Sequence, residues 1–268
     1  MTPATNHAAR LWRLYAEHAR HLFQGGPRPT FDATDRWFFA ATGADHVDLN
    51  QAALFGEAGS EDAEVLARTV VEAGVPCLLG CSDGVLERVA PALTAAGFQH
   101  LPNREAIFRR PGLPEALGPS PFAVRRVRSD ADIVAMQAIF EETHGYDPAT
   151  IAALFGGRVK GDDGLSAWIA WDGPKPISFA IVIELGATLS LWEVMTPARH
   201  RRRGGARAVV NAALAGAVTV AAGRIAETLF WASPAGRPLY EAMGFVIADD
   251  VDVWILGASP EDLAAVGA

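Results

Sequence analysis

Between Pro111 and Pro121 the chain reads PGLPEALGPSP, with four prolines and two glycines in eleven residues. Proline fixes φ and has no N–H to donate, so neither a helix nor a central strand runs through such a stretch. It reads as a linker. Residues 113–121 thus separate a first domain over 1–112 from a second over 122–268. Each is of the length of one small domain. Half of the residues are apolar and a fifth are charged, which is ordinary globular composition with ample material for a core. The formal net charge of −8 argues against nucleic acid or an anionic membrane as the main partner. The N-terminus, MTPATNHAARLWRL, lacks the basic start and apolar core of a signal peptide. The most apolar run, Ala206 to Ala222, is interrupted by Arg207, Asn211 and Gly216 and is a poor membrane span. A cytoplasmic location is expected.

Apolar positions at helical spacing (Leu11, Leu14, Tyr15, His18, Leu22) predict a helix over 7–24, ended by GGPRP. Arg36 to Ala41 and His46 to Phe55 read as strands. Ser60 to Ala73 reads as a helix with Ser60 as a candidate N-cap. A buried strand over Val75 to Cys81, a helix over Val85 to Ala96 and a strand over Phe98 to Arg109, turning at Pro102-Asn103, complete the first half. In the second half Phe122 to Val127 is a strand, Ser129 caps a helix to about His144, and Asp147-Pro148 opens another to Phe155. Strands follow over Ser166 to Trp171, Pro176 to Leu185 and Thr188 to Thr196. A helix over Gly204 to Ala222, a strand over Ile225 to Ala232, a helix over Gly236 to Met243 and a strand over Phe245 to Leu256 close the chain. This is a mixed α/β pattern with a largely antiparallel sheet. The halves also echo each other: LTAAGF (Leu93 to Phe98) ends like LYEAMGF (Leu239 to Phe245), and CLLGCS parallels LFWAS. A duplicated domain is the economical explanation, although helix, Gly and apolar strand is a common succession.

The run LSLWEVMT (Leu189 to Thr196) leads through a basic loop into Gly204-Gly205-Ala206 and a helix of small residues. Glycines at a helix start let backbone N–H groups approach an anion, and the helix terminus adds partial positive charge. Arg201 and Arg203 add full charges with forked donors. The ensemble suits a diphosphate; the alternative is a solvated basic turn. Glu193 is a carboxylate inside an apolar strand, where burial would raise its pKa toward that of a useful base. The alternative is a residue on an outward, half-solvated face. Glu184 is the reserve. Cys77 and Cys81, on one strand, would face the same side about 13 Å apart, beyond disulfide reach. Two thiols make no zinc site, the seven histidines show no ligand spacing, and no metal is expected. His200 reads as a solvent-exposed neighbour of the loop, within reach of a phosphate.

Arg201, Gly204 and Ala206, with Arg202, Arg203 and Gly205 between them, form R-x-x-G-x-A after a strand. This resembles the acyl-coenzyme A signature of the GCN5-related N-acetyltransferase (GNAT) family. ASPAGRPLYEAMGF (Ala232 to Phe245) resembles the same family's downstream element. The resemblance covers roughly Phe122 to Leu256, and the first half resembles a diverged copy. It implies two GNAT-like domains, each a mostly antiparallel twisted sheet flanked by helices (α/β, of mixed α+β type). It implies acetyl-CoA as co-substrate, with Val194, Met195 and Thr196 presenting backbone groups to the pantetheine and thioester. Arg201 to Ala206 would hold the pyrophosphate, and Tyr240 would protonate the departing thiolate. Ser233 stands in the region where the family often carries Asn, and a hydroxyl can still donate or accept there. A packing role is the alternative for Tyr240.

In the first half, Gly56 to Glu64 (GEAGSEDAE) carries four carboxylates where the second has arginines, and Leu93 stands in the place of Tyr240. Such a loop repels a diphosphate, so a structural or substrate-shaping role without cofactor is expected; Trp37, Phe38 and Phe39 read as core or as lining for a cleft. The activity the resemblance implies is that of an N-acetyltransferase moving acetyl from acetyl-CoA to a primary amine of a small molecule or peptide, by direct attack. The rival from another class is a non-catalytic acyl-CoA sensor or scaffold. A peptide-bond-forming acyl or aminoacyl transferase is a third reading. A homodimer is compatible with the sequence.

Overall fold

A computed structural model describes residues 3–112, 120–161, 164–221 and 225–258. Most of the expected linker, 113–119, lies outside the described residues, as do Ala222 and the C-terminal 259–268. The elements in chain order are α1 (Pro3–Phe23), β1 (Thr30–Ala33), β2 (Trp37–Ala41), β3 (Asn50–Leu54), α2 (Ser60–Ala73), β4 (Cys77–Ser82), α3 (Leu86–Ala95) and β5 (Gln99–Pro111). They continue with β6 (Ala123–Arg126), α4 (Asp130–His144), α5 (Pro148–Ile151), β7 (Leu165–Asp172), β8 (Lys175–Leu185) and β9 (Thr188–Met195). The last are α6 (Gly205–Ala221), β10 (Glu227–Ala232), α7 (Arg237–Ala242) and β11 (Val246–Leu256). No helix among the described residues is long and apolar enough to cross a membrane.

The fold is mixed α/β, built as two compact units. One comprises 1–108, 231–238 and 247–268; the other comprises 109–230 and 239–246. In the first, β1, β2 and β3 pair antiparallel, β3 and β4 parallel, and β4 and β11 antiparallel. In the second, β6, β7, β8 and β9 pair antiparallel and β9 and β10 parallel. The same succession therefore occurs twice: antiparallel strands, then a helix crossing between two parallel strands (α2, α6), then a helix and a last strand (α3 to β5, α7 to β11). A parallel neighbour requires such a crossover, so each long helix follows from the strand order.

Within the first unit α1 buries Leu11, Trp12, Tyr15, Ala19 and Leu22, the recurrence of three and four that an amphipathic helix requires. Trp12 stacks on Phe55 at 6.0 Å and Tyr15 donates its hydroxyl to Gln51. His18 shares this face. Burial, aided by neighbouring His21, holds its pKa near 3, so it is a neutral core residue. Trp37, Phe38 and Phe39 are buried, as in the core reading. Both thiols are free and buried on β4, and burial pushes their pKa values up.

Three local expectations are corrected. Ser60 is the first residue of α2 and not its cap; Gly59 occupies the cap position, and its N–H donates to the Asp62 carboxylate at 2.9 Å. No turn forms at Pro102-Asn103, since β5 runs unbroken from Gln99 to Pro111, with Arg104 tied to Asp83 and Asp252. Strand pairing here outweighs the turn propensity of the dipeptide. The helix expected to reach Phe155 is a short α-helix passing into a π-helical turn over Ala152–Gly156. β1 carried no sequence signal, being four residues long and largely exposed.

In the second unit Ser129 caps α4 as expected. Its Oγ accepts from the Asp132 N–H, and the Asp132 carboxylate accepts from the Ser129 N–H at 3.1 Å. Burial raises the Asp132 pKa, but hydrogen bonds from Ser129, Arg128 and Arg125 outweigh it and hold the carboxyl below its usual range. The helix α6 packs on β7 and β8. It does so closely at Gly216, where a Cβ would lie 2.2 Å from Trp168 Cζ2.

Candidate functional site

The strand β9 does not run evenly to its end. Against β8, Ile181 pairs with Trp192 and Phe179 with Met195, so Glu193 and Val194 together oppose Ala180. This is a β-bulge. Its first residue, Glu193, has φ +52, the left-handed region that L residues seldom occupy. On its other edge β9 pairs with β10 from Glu227↔Thr188 only to Leu229↔Ser190. Past Ser190 the two parallel strands no longer pair. The end of β9 is thus bulged on one edge and beyond its register with β10 on the other.

Met195 is buried while Glu193, Val194 and Thr196 are half-buried. The Met195 carbonyl accepts from Ser178 Oγ at 2.8 Å, and the same hydroxyl lies 2.8 Å from Thr196 Oγ1. Ser178, fully buried on β8, was not singled out by sequence; a hydroxyl in an apolar strand was its only signal. Beyond Thr196 a 3₁₀ turn spans Ala198–His200, Arg202 takes φ +62 and Gly204 φ +88. Among the described residues the backbone N–H groups from Arg202 to Arg207 donate to no backbone carbonyl; the first in α6 to do so is Ala208, to Gly204. The first turn of any helix leaves such donors, and here the preceding loop extends the series.

The two glycines have different uses. Gly204 has open space where a side chain would begin, but its positive φ strains any replacement. Gly205 brings α6 onto β8: a Cβ there would lie 3.3 Å from Ser178 Cβ. Ala206 is half-buried. Arg201, Arg202 and Arg203 are all exposed. Arg201 Nε donates to the Thr196 carbonyl at 3.2 Å, and Arg203 Nη2 to Asp172 at 2.6 Å. His200, expected in solvent, is buried between two arginines: Arg199 Nε lies 3.0 Å from its Nε2 and Arg203 Nη1 3.3 Å from its Nδ1.

Tyr240 lies on α7, buried, with its ring 4.4 Å from that of Phe230 and 6.3 Å from that of Phe245. Burial raises its pKa, so the phenol keeps its proton at neutral pH. The helix ends at Gly244 (φ +79), and the Phe245 N–H returns to the Tyr240 carbonyl. Ser233 is exposed just after β10 and falls in the first unit. No cluster of metal-binding side chains occurs among the described residues.

The first unit repeats the scaffold without these features. Its β2–β3 register is unbroken and β3 stays paired with β4 through Leu54, its last residue. The start of α2 takes the carboxylate of Asp62, which also pairs with Arg36 at 3.3 Å. Arg88 closes the loop by donating to the carbonyls of Gly56, Ala58 and Gly84.

Residues 132–245 match the model of a family described as Acetyltransferase (GNAT) family. No curated protein matches the sequence. Among solved structures, the chain is similar to a GCN5-related N-acetyltransferase from Kribbella flavida, with TM-score 0.64 and 16% identity over 94% of this chain and 96% of that one. It is similar to a GCN5-related N-acetyltransferase from Sphaerobacter thermophilus, with TM-score 0.58 and 12% identity over 82% and 76%. It is also similar to a tandem GNAT protein from the clavulanic acid biosynthesis pathway, solved without AcCoA, with TM-score 0.56 and 13% identity over 88% and 85%. At these identities the likeness is one of fold.

Proposed function

We propose, from the premise that this chain carries a domain of the acetyltransferase (GNAT) family over residues 132–245, that it transfers acetyl from acetyl-CoA to a primary amine of a small molecule or peptide. In this reading 122–268 supplies the donor site, and 1–112 is a diverged copy that binds no cofactor. The observation that carries it is the bulge at Glu193-Val194, on a strand end leading into a loop whose N–H groups, Arg202 to Arg207, donate to no backbone carbonyl among the described residues. Acyl transfer needs a thioester held beside free backbone donors, and a diphosphate needs a helix start rich in N–H groups and cations.

The chemistry follows in balanced steps. The neutral amine attacks the thioester carbonyl carbon; a C–N bond forms and the C–S bond breaks. A backbone N–H near Met195 steadies the oxyanion. Glu193, or water, takes the proton the nitrogen loses. Tyr240 gives its phenolic proton to the leaving thiolate and regains one from solvent. Val194, Met195 and Thr196 would line the pantetheine, and Arg201, Arg202, Arg203, Gly204, Gly205 and Ala206 would hold the diphosphate.

The test measures thiol release from acetyl-CoA across an amine panel, together with calorimetric CoA binding, in the wild type and in Ala206→Glu. An acid in the first helical turn stabilises a helix by about 0.3–1 kcal/mol, so this variant should fold, yet it sets a carboxylate among the phosphate donors. Binding should fall at least tenfold. Unchanged affinity would remove the donor site from this loop. One observation favours the sensor reading: the Tyr240 ring is packed among phenylalanines. Tyr240→Phe separates the two. A catalytic acid predicts turnover reduced about a hundredfold with CoA affinity kept. Tight CoA binding in the wild type with no turnover on any amine would favour the sensor.

A further inference from the structure

The loop that opens α6 is cationic, and two of its arginines, Arg199 and Arg203, are held by carboxylates. Glu142, near the end of α4, pairs with Arg199 at 2.7 Å, and Asp172 pairs with Arg203 at 2.6 Å. His200 stands between the arginines. A neutral imidazole accepts at one ring nitrogen only. With Nε2 accepting from Arg199, Nδ1 carries the proton and cannot accept from Arg203. Asp172 is then the group that holds the Arg203 guanidinium, with the Phe122 ring 5.7 Å away as a second contact.

The position of Asp172 is set by the sheet and not by the loop. It is the last residue of β7, at the turn into β8, where Gly173 has φ +58 and Asp172 pairs with Lys175 across the hairpin. Its side chain is 45% exposed and that of Arg203 44%. A pair this open is weakly held and readily exchanged for a stronger anion. A diphosphate is such an anion: it carries more charge than a carboxylate and matches the guanidinium fork.

We infer that Asp172 is a built-in counter-ion of the donor site, which occupies Arg203 when no diphosphate is present and competes with the diphosphate for it. This rests on the reading of the α6 loop as the donor site. Asp172 acts through Arg203, so it is a positioning residue. Its charge sets donor affinity below what the loop alone would reach, which favours release of product CoA.

The experiment is calorimetric titration of the full chain with CoA at low and high salt. It compares the wild type, Asp172→Asn, Arg203→Ala and the double variant, with Asp130→Asn as a control that removes one charge from a pair with Lys160. Asn favours the same tight turns as Asp, so the Asp172→Asn fold is retained. Asp172→Asn should bind CoA about fivefold more tightly at low salt, the scale of one exposed ion pair. The gain should shrink in high salt and vanish in the Arg203→Ala background, and Asp130→Asn should not reproduce it. Unchanged or weaker binding by Asp172→Asn, or a gain that persists without Arg203, would overturn the inference while leaving the donor site in place. A wild type that binds no CoA would overturn the donor reading and this inference with it.

Discussion

At the scale of single residues, two glutamates carry the most information. Glu193 occupies the left-handed region without being glycine, which costs roughly 1–2 kcal/mol. Such strain is retained where the surrounding structure demands it, often at working sites. Glu193→Gly should therefore raise stability by about 1 kcal/mol in urea denaturation while abolishing turnover, and Glu193→Gln should abolish turnover without the gain. A Gln variant of full activity would remove Glu193 as the base. Glu105 on β5 is a different case. Burial, with Asp48 adding repulsion, raises its pKa to about 7. A folded-state pKa above the unfolded value of about 4.3 means stability present below pH 4.3 and lost as pH rises through 7. Glu105→Gln escapes that loss. Its melting temperature should exceed that of the wild type at pH 8, with the difference closing by pH 4; a constant difference across that range would sink the assignment.

At the scale of elements, α6 joins the two demands on the second unit. In the proposed function its start presents N–H groups to an anion, while its body lies close on β7 and β8. Gly216 meets the second demand. Alanine normally gains about 0.5–1 kcal/mol over glycine inside a helix. Here the added Cβ would lie 2.2 Å from the Trp168 ring, so Gly216→Ala should instead destabilise by about 1–3 kcal/mol. The midpoint of urea unfolding reads the sign directly, and a rise would mean that Trp168 moves aside freely. The bulge in β9 is the other decisive element. Its sequence, LWEVM, is that of an ordinary strand, and nothing local announces the extra residue. It is seen only in the pairing with β8.

At the scale of the whole molecule, the proposed function predicts one donor site per chain, from the difference between the repeated scaffolds. The two units share strand succession and crossover helices. The first pairs β3 with β4 to the last residue of β3 and fills its helix start with its own Asp62. The second releases β9 from β10 after Ser190 and leaves its helix start open. Calorimetry with CoA should give one site per chain, and Ala206→Glu should remove it entirely. A residual second site in that variant would place a donor site in the first unit.

The helix start at Ser129, the Gly-Phe endings, the paired scaffolds and the basic loop were legible in the chain, because each depends on local chemistry: a capping hydroxyl at Ser129, a left-handed glycine at Gly244, alternating apolar residues in strands. Acids in place of arginines at Gly56 to Glu64 marked the difference between the halves for the same reason, since charge is written in the sequence. Tertiary structure alone decided the bulge at Glu193, the release of β9 from β10, the burial of His200 and the pairing of Arg203 with Asp172. Each of these depends on which residue of a distant strand or turn arrives opposite, and register between separate segments is set by packing of the whole sheet, not by any short run of residues.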